Sequence, residues 1–351
     1  MINKFIKFIS ENKNNSQGLL TGNAGQALFL CLVSRKMNDV NAEQLADNLI
    51  DEVFDYLEKN KKFTPVTFGD GLAGVGWCVE YLVEHKFCDG DTDHILEDID
   101  NAVFRVIHEQ IQLPLNLQQG LIGCLFYVIS RLKNKDTKKL STQINQGLLI
   151  KIINKIDEIA PDQFHNIGNE IQFNLLWQIP ALFLALDQAL DLNIHNRKIT
   201  TMMEQWMFNL STHLPGVHSL RLFLALSLYK INEKLKRKDI EKQIQILLYS
   251  IDFDVFRREI APSTLNLQFG WYGTVLLLYL ARQTFNESYP NYEKMEQLRR
   301  EILSQHKEKS EEIIDSIQQL PLEKKVGVGQ GLANGLSGIG MLYLLCPEAL
   351  D

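Results

Sequence analysis

Paired cysteine motifs are missing from this chain. Its 351 residues include only five cysteines, Cys31, Cys78, Cys88, Cys124 and Cys346, with no Cys-x-x-Cys among them. An odd number without paired spacing argues against a disulfide framework or a thiolate metal centre; it fits buried free thiols in a reducing cytoplasm. No apolar run reaches the roughly 18 residues that a membrane span needs. The opening MINKFIKFIS is interrupted by Lys4 and Lys7 at amphipathic spacing, unlike the apolar stretch of a signal peptide. The formal charge is −7 and the basic residues are scattered, so there is no basic face for nucleic acid. Strand-type alternation is absent too.

Several specific chemistries fall away with these classes. The glycine motifs lack the Lys-Ser/Thr ending and the preceding strand of a phosphate loop. Cys88-Asp89-Gly90-Asp91-Thr92-Asp93-His94 alternates aspartates but lacks the glycine and distal glutamate of a calcium loop. It reads as an acidic turn, with Asp91 or Thr92 capping the next helix. A sugar hydrolase needs two carboxylates across a cleft; only Asp70 stands next to a glycine pair, with Glu170 more distant.

What is present is a repeat. Segments 22–35 (GNAGQALFLCLVSR), 71–82 (GLAGVGWCVEYL), 120–131 (GLIGCLFYVISR), 270–282 (GWYGTVLLLYLAR) and 335–345 (GLSGIGMLYLL) each open with G-x-x-G and continue apolar almost all round. Asn116-Leu117-Gln118 before Gly120 matches Asn266-Leu267-Gln268 before Gly270, which fixes the register of the later copy. Two degenerate copies, 178–191 and 216–229, bring the number to seven, with starts near 22, 71, 120, 178, 216, 270 and 335. Between them, segments 41–60, 91–110, 138–158, 195–210, 237–250 and 291–317 carry one apolar stripe and a charged opposite face. A helix that is apolar on every side must be buried on every side. Seven such helices satisfy this as an inner ring wrapped by amphipathic ones. The expected fold is all-α, an α/α toroid in one domain over residues 1–351. The glycines, lacking Cβ, would let neighbouring backbones approach where the ring is crowded. Arg35, Arg131 and Arg282 would complement the negative ends of their helices.

The G-x-x-G inner helices, in seven copies of which two are degenerate, resemble the lanthionine synthetase C-like family across essentially the whole chain. The resemblance implies a zinc ion at one end of the inner barrel, where it activates a peptide cysteine thiolate that adds to a dehydroamino acid and closes a thioether ring. It also implies where the ligands should stand, and there the sequence departs from the family. The Cys of a W-C-Y-G-x-P-G pattern falls on Gln268, and the Cys and His of C-H-G-x-A-G fall on Ala333 and Asn334. No zinc is therefore expected. The family's acid–base slots read Pro215, with His213 and His218 close by, and Asn174; an expected Arg falls on Thr264.

The implied function is a zinc-free pseudoenzyme of a ribosomal peptide-maturation pathway, binding a precursor peptide or a partner modification enzyme. The alternative is a zinc-independent thioether cyclase or another peptide-modifying enzyme on the same scaffold, and a third is a purely structural toroid. The candidate peptide-binding residues are Asn174, His213, His218, Arg221, Gln268, Tyr272 and Asn334. Helix N-termini converging on one mouth would favour an acidic or carboxylate-bearing segment. Arg221 reads either as a helix-end cation reaching solvent or as an anion-binding group, and His218 and Tyr272 either as core filling or as a remodelled pocket.

Overall fold

A computed structural model describes residues 1–12, 14–60, 64–109, 112–133, 135–260, 265–305 and 331–347. All regular structure among them is helical: α1 (Ile2–Glu11), α2 (Asn23–Met37), α3 (Val40–Asn60), α4 (Leu72–Glu84), α5 (Thr92–Ile95), α6 (Glu97–His108), α7 (Leu121–Leu132), α8 (Leu140–Phe164), α9 (Gln178–Asp191), α10 (Asn196–Thr212), α11 (His218–Leu235), α12 (Lys238–Tyr249), α13 (Phe253–Glu259), α14 (Trp271–Thr284), α15 (Tyr292–Ser304) and α16 (Leu336–Leu345). None is long and apolar enough to cross a membrane.

The expected alternation is present. The seven apolar segments are α2, α4, α7, α9, α11, α14 and α16, each starting within two residues of its predicted position. In α7 every residue from Leu121 to Leu132 except Phe126 is buried; in α11 burial runs from Ser219 to Leu228 with only Arg221 partly open. The amphipathic segments bury one stripe: α3 buries Ala42, Ala46, Val53 and Leu57 and leaves its acidic face in solvent. Each buried leucine or phenylalanine contributes about 1.5–3 kcal/mol, so the all-round apolar helices hold most of the stabilising area. The acidic turn is a cap as expected: Asp91 Oδ1 accepts from Asp93 N–H at 3.1 Å and starts α5. The predicted 91–110 helix is broken at Leu96 into α5 and α6. Part of the predicted 291–317 segment lies outside the described residues.

The chain divides into two compact units. The first comprises Met1–Gln112, Leu265–Gln268 and Gln305–Asp351. In it α2 packs against α3, α4 and α16, α4 against α6, and α1 against α16. Phe5 of α1 meets Tyr343 of α16 edge-on at 6.2 Å. The second unit comprises Leu113–Thr264 and Phe269–Ser304. There α7, α9, α11 and α14 pack in succession, and α8, α12 and α15 each lie against the apolar helix before them. Its core includes the aromatic group Phe164, Phe183 and Trp206.

The glycine pairs work locally. A Cβ on Gly71 would stand 2.1 Å from Pro65 O, and one on Gly74 would stand 1.9 Å from Phe68 O. Both oxygens belong to the loop that leads into the same helix. The tightest approach is therefore between the helix start and its own lead-in loop, and neighbouring repeats add to it, with Leu332 Cγ 2.8 Å from a Cβ on Gly25 and Leu267 Cδ1 2.8 Å from one on Gly338. The arginines at the far ends also differ among themselves. Arg131 is 1% exposed, whereas Arg35 lies 3.4 Å above the Phe87 ring and donates to Lys86 O at 2.8 Å.

Candidate functional site

The lead-in loops of the first unit are tied together by equivalent residues. Leu20 N–H donates to Gly69 O at 2.9 Å, Ala333 N–H to Leu20 O at 2.9 Å, and Gln268 N–H to Ala333 O at 3.0 Å. Each of these residues stands two positions before the leading glycine of its pair: Gly22, Gly71, Gly270 and Gly335. The ladder is independent support for the register read from Asn116-Leu117-Gln118. It also places Gln268 and Ala333, the slots of two implied zinc ligands, side by side, with Asn334 next in the chain.

The donor set there does not fit zinc. Gln268 is 5% exposed and Ala333 is 4% exposed, while Asn334 is open to solvent. A methyl group offers no lone pair, and neutral amides are poor ligands beside thiolate and imidazole. Among the described residues no group of three His, Cys, Asp or Glu side chains could hold a metal ion. Next to these loops stands a polar chain that the sequence hinted at only through Asp70. Ser16 Oγ meets Thr21 Oγ1 at 3.1 Å, and Thr21 Oγ1 donates in turn to Asp70 Oδ1.

Four helix starts are closed by backbone. In the second repeat Leu72 N–H donates to Pro65 O at 2.9 Å and Gly74 N–H to Thr67 O at 3.3 Å, each seven residues back. The same seven-residue bond links Asn23 to Ser16, Leu121 to Pro114 and Gly338 to Gly331. Donors that a helix would otherwise leave free at its N-terminus are thereby satisfied within the repeat. An anion would have to compete with these carbonyls.

The fifth repeat is capped differently. Glu259, at the end of α13, accepts from His218 N–H at 2.7 Å, Ser219 N–H at 3.0 Å and Ser219 Oγ at 3.1 Å. A carboxylate here complements the positive end of α11. Asp252 N–H donates to His218 Nδ1 at 2.9 Å, so the neutral ring carries its proton on Nε2. Burial, and then the charge of Arg221, hold His218 below its ordinary pKa. Arg221 Nε donates to Pro215 O at 2.8 Å and Nη1 to Ser250 O at 2.5 Å, so the guanidinium joins the loop before α11 to the end of α12. Nothing periodic in the sequence marked Glu259, which stands 40 residues beyond Ser219 on a helix without a repeat signature.

The remaining candidates also have local roles. Tyr272 is wholly buried, with its ring edge-on to Trp271 at 4.8 Å. Asn174 Oδ1 accepts from Leu176 N–H at 3.0 Å in the turn before α9. His213 Nδ1 meets Thr212 Oγ1 at 2.8 Å, and its ring stands edge-on to His165 at 5.8 Å. Gln268 and Asn334 belong to the first unit; Asn174, His213, His218, Arg221 and Tyr272 belong to the second.

Residues 13–170 match the family described as lanthionine synthetase C-like protein. Among solved structures, nisin cyclase superposes with a TM-score of 0.68, covering 99% of this chain and 96% of its own at 15% identity. The sequence resemblance to the lanthionine synthetase C-like family thus covers residues 13–170, and the likeness of fold to nisin cyclase covers nearly the whole chain. Its all-α fold is accordingly shared with that cyclase. No curated protein matches the chain significantly. The family match ends well before Gln268, so the reading of the ligand slots rests on the repeat register and the loop ladder.

Proposed function

We propose that this lanthionine synthetase C-like chain, taken as one domain over residues 1–351, is a cytoplasmic peptide-handling protein that has given up zinc-dependent cyclisation. It binds a ribosomally made peptide, or the enzyme that modifies one, in a lanthipeptide-type pathway. The observation that carries this reading is the Gln268–Ala333 backbone bond. Two ligand slots remain adjacent, and their side chains, with that of Asn334, are an amide, a methyl and an amide. No thiolate is available there to bind zinc, and no imidazole. All five cysteines are free, and burial pushes the thiols of Cys31 and Cys124 up to about 12, which keeps them protonated and unreactive at neutral pH.

The residues to test for peptide contact are Gln268 and Asn334 in the first unit and, separately, Asn174, His213, His218, Arg221 and Tyr272 in the second. Elemental analysis of the untagged protein should find well under one zinc per chain; a stoichiometric, chelator-resistant zinc would overturn the reading. Calorimetry with candidate precursor peptides should show binding that Asn334→Trp weakens. Unchanged affinity in a folded Asn334→Trp protein would remove the Gln268–Asn334 surface from the proposal.

A further inference from the structure

The first unit carries a groove between α3 and the α5–α6 pair, reaching Leu72 at the start of α4. Its floor is apolar: Phe54 and Leu57 of α3, Leu72 at the start of α4, and Ile95 and Ile99 of α5 and α6. Leu57, Leu72 and Ile99 are buried, while Ile95 is 38% exposed, so the floor opens to solvent at its α5 end. The cavity measures about 370 Å³, enough for a few side chains.

Its charged lining has one sign. Asp55, Glu58 and Asp98 are the charged residues around it. The helices behind them continue the pattern. Residues 43–58 of α3 hold six carboxylates before its one cation, Lys59, and residues 89–100 hold six carboxylates with no lysine or arginine. Two other clefts among the described residues differ. The one of about 560 Å³ beside Tyr249 sets Asp252 and Asp254 against Arg257 and Lys294. The one of about 400 Å³ beside Cys31 sets Glu43 and Asp47 against Arg35 and Lys86. Only in the α3/α5–α6 groove, among these three, does an apolar floor meet a field of a single sign. Such a field concentrates cations. The rim carboxylates do not converge as a metal site, and an apolar floor gives nothing to a hydrated ion.

We propose that this groove docks a basic amphipathic segment of a partner polypeptide. One or two apolar side chains of the segment sit on Phe54, Leu57, Ile95 and Ile99, and flanking lysines or arginines face Asp55, Glu58 and Asp98. The chain's own basic amphipathic helix, α1, is engaged elsewhere: Phe5 and Ile9 are 1% and 4% exposed, and α1 packs on α16. The inference does not depend on the zinc-free reading, since the groove shares no residue with the ligand slots.

The probe is a fluorescent amphipathic peptide of leucine and lysine, followed by anisotropy with the full-length protein. A leucine–glutamate peptide and a serine–lysine peptide serve as counterparts. The leucine–lysine peptide should bind, and the two counterparts should bind much more weakly. Asp55→Lys combined with Glu58→Lys should weaken binding about tenfold or more, since each reversed surface charge acts at the 1 kcal/mol level. Ile95→Ser, which leaves the charge unchanged, should weaken it several-fold. Glu287→Lys with Glu293→Lys in the second unit should leave affinity within about twofold. Four results would each overturn the proposal: no binding, equal binding of the serine–lysine peptide, equal loss in the Glu287/Glu293 control, or a dimer of the protein alone that Ile95→Ser dissolves. Circular dichroism checks that each variant is folded.

Discussion

The second repeat and the fifth begin their buried helices in two different ways. Before α4 the loop folds back so that Pro65 and Thr67 carbonyls receive the N–H groups of Leu72 and Gly74. That path leaves no room for a Cβ at either glycine. Before α11 the loop takes another course. Ser219 occupies the second glycine position, and a Cβ on Gly216 would meet nothing closer than Gly168 O at 3.2 Å. The donors go instead to Glu259, a side chain brought in by α13. Glycine is required where the backbone caps itself, and a side chain returns where a carboxylate does the capping.

The largest effect should come from breaking the second repeat. Gly74→Ala sets a methyl group against Phe68 O and displaces the bond to Thr67 O, and should cost more than about 3 kcal/mol in urea unfolding. A loss under about 1 kcal/mol would show that the lead-in loop yields easily. Glu259→Ala should cost about 1–3 kcal/mol, because two backbone donors and one hydroxyl lose a charged acceptor. Gly216→Ala should stay within about 1 kcal/mol of the wild type; a cost equal to that of Gly74→Ala would erase the distinction between the two starts. The smallest effect concerns pH. His218 has a pKa below 6.5 in the fold, so folding favours the neutral ring. Its contribution is complete above the unfolded value and is lost as pH falls from there through the lowered folded value. Urea midpoints should therefore decline on acidification below about pH 6.5, less steeply in His218→Gln, and the difference should be small because the ring is well solvated.

The helices were legible because periodicity and composition decide them. An all-round apolar segment such as 120–131 has only a buried position open to it, and it became α7. Register was legible from Asn116-Leu117-Gln118 and Asn266-Leu267-Gln268, and the loop ladder puts Gln268 beside Ala333 as that register requires. The job of the glycines was half legible. Crowding could be inferred, but which atoms crowd them depends on the path of the preceding loop. Arg221 could be seen as an isolated cation, yet its two carbonyl partners, Pro215 and Ser250, come from loops whose course no local pattern fixes. Glu259 was not legible at all, for the same reason: its contact joins α13 to α11 without any repeat to announce it.

The ladder of lead-in loops has a consequence for how the chain is made. Its rungs, Gly69, Leu20, Ala333 and Gln268, come from both ends of the sequence, and the Lys36 ammonium at the end of α2 donates to Leu344 O, 308 positions away. The second unit lies wholly within residues 113–304 and can form as it leaves the ribosome. The first unit cannot. At roughly 5–20 residues per second of synthesis, α2 waits roughly 15–60 s for α16 to emerge. Through that interval the apolar face of α2 meant for α16 is bare, including Phe29, against which Gly340 packs. A nascent chain interrupted before residue 331 should therefore be the form of this protein most dependent on chaperones.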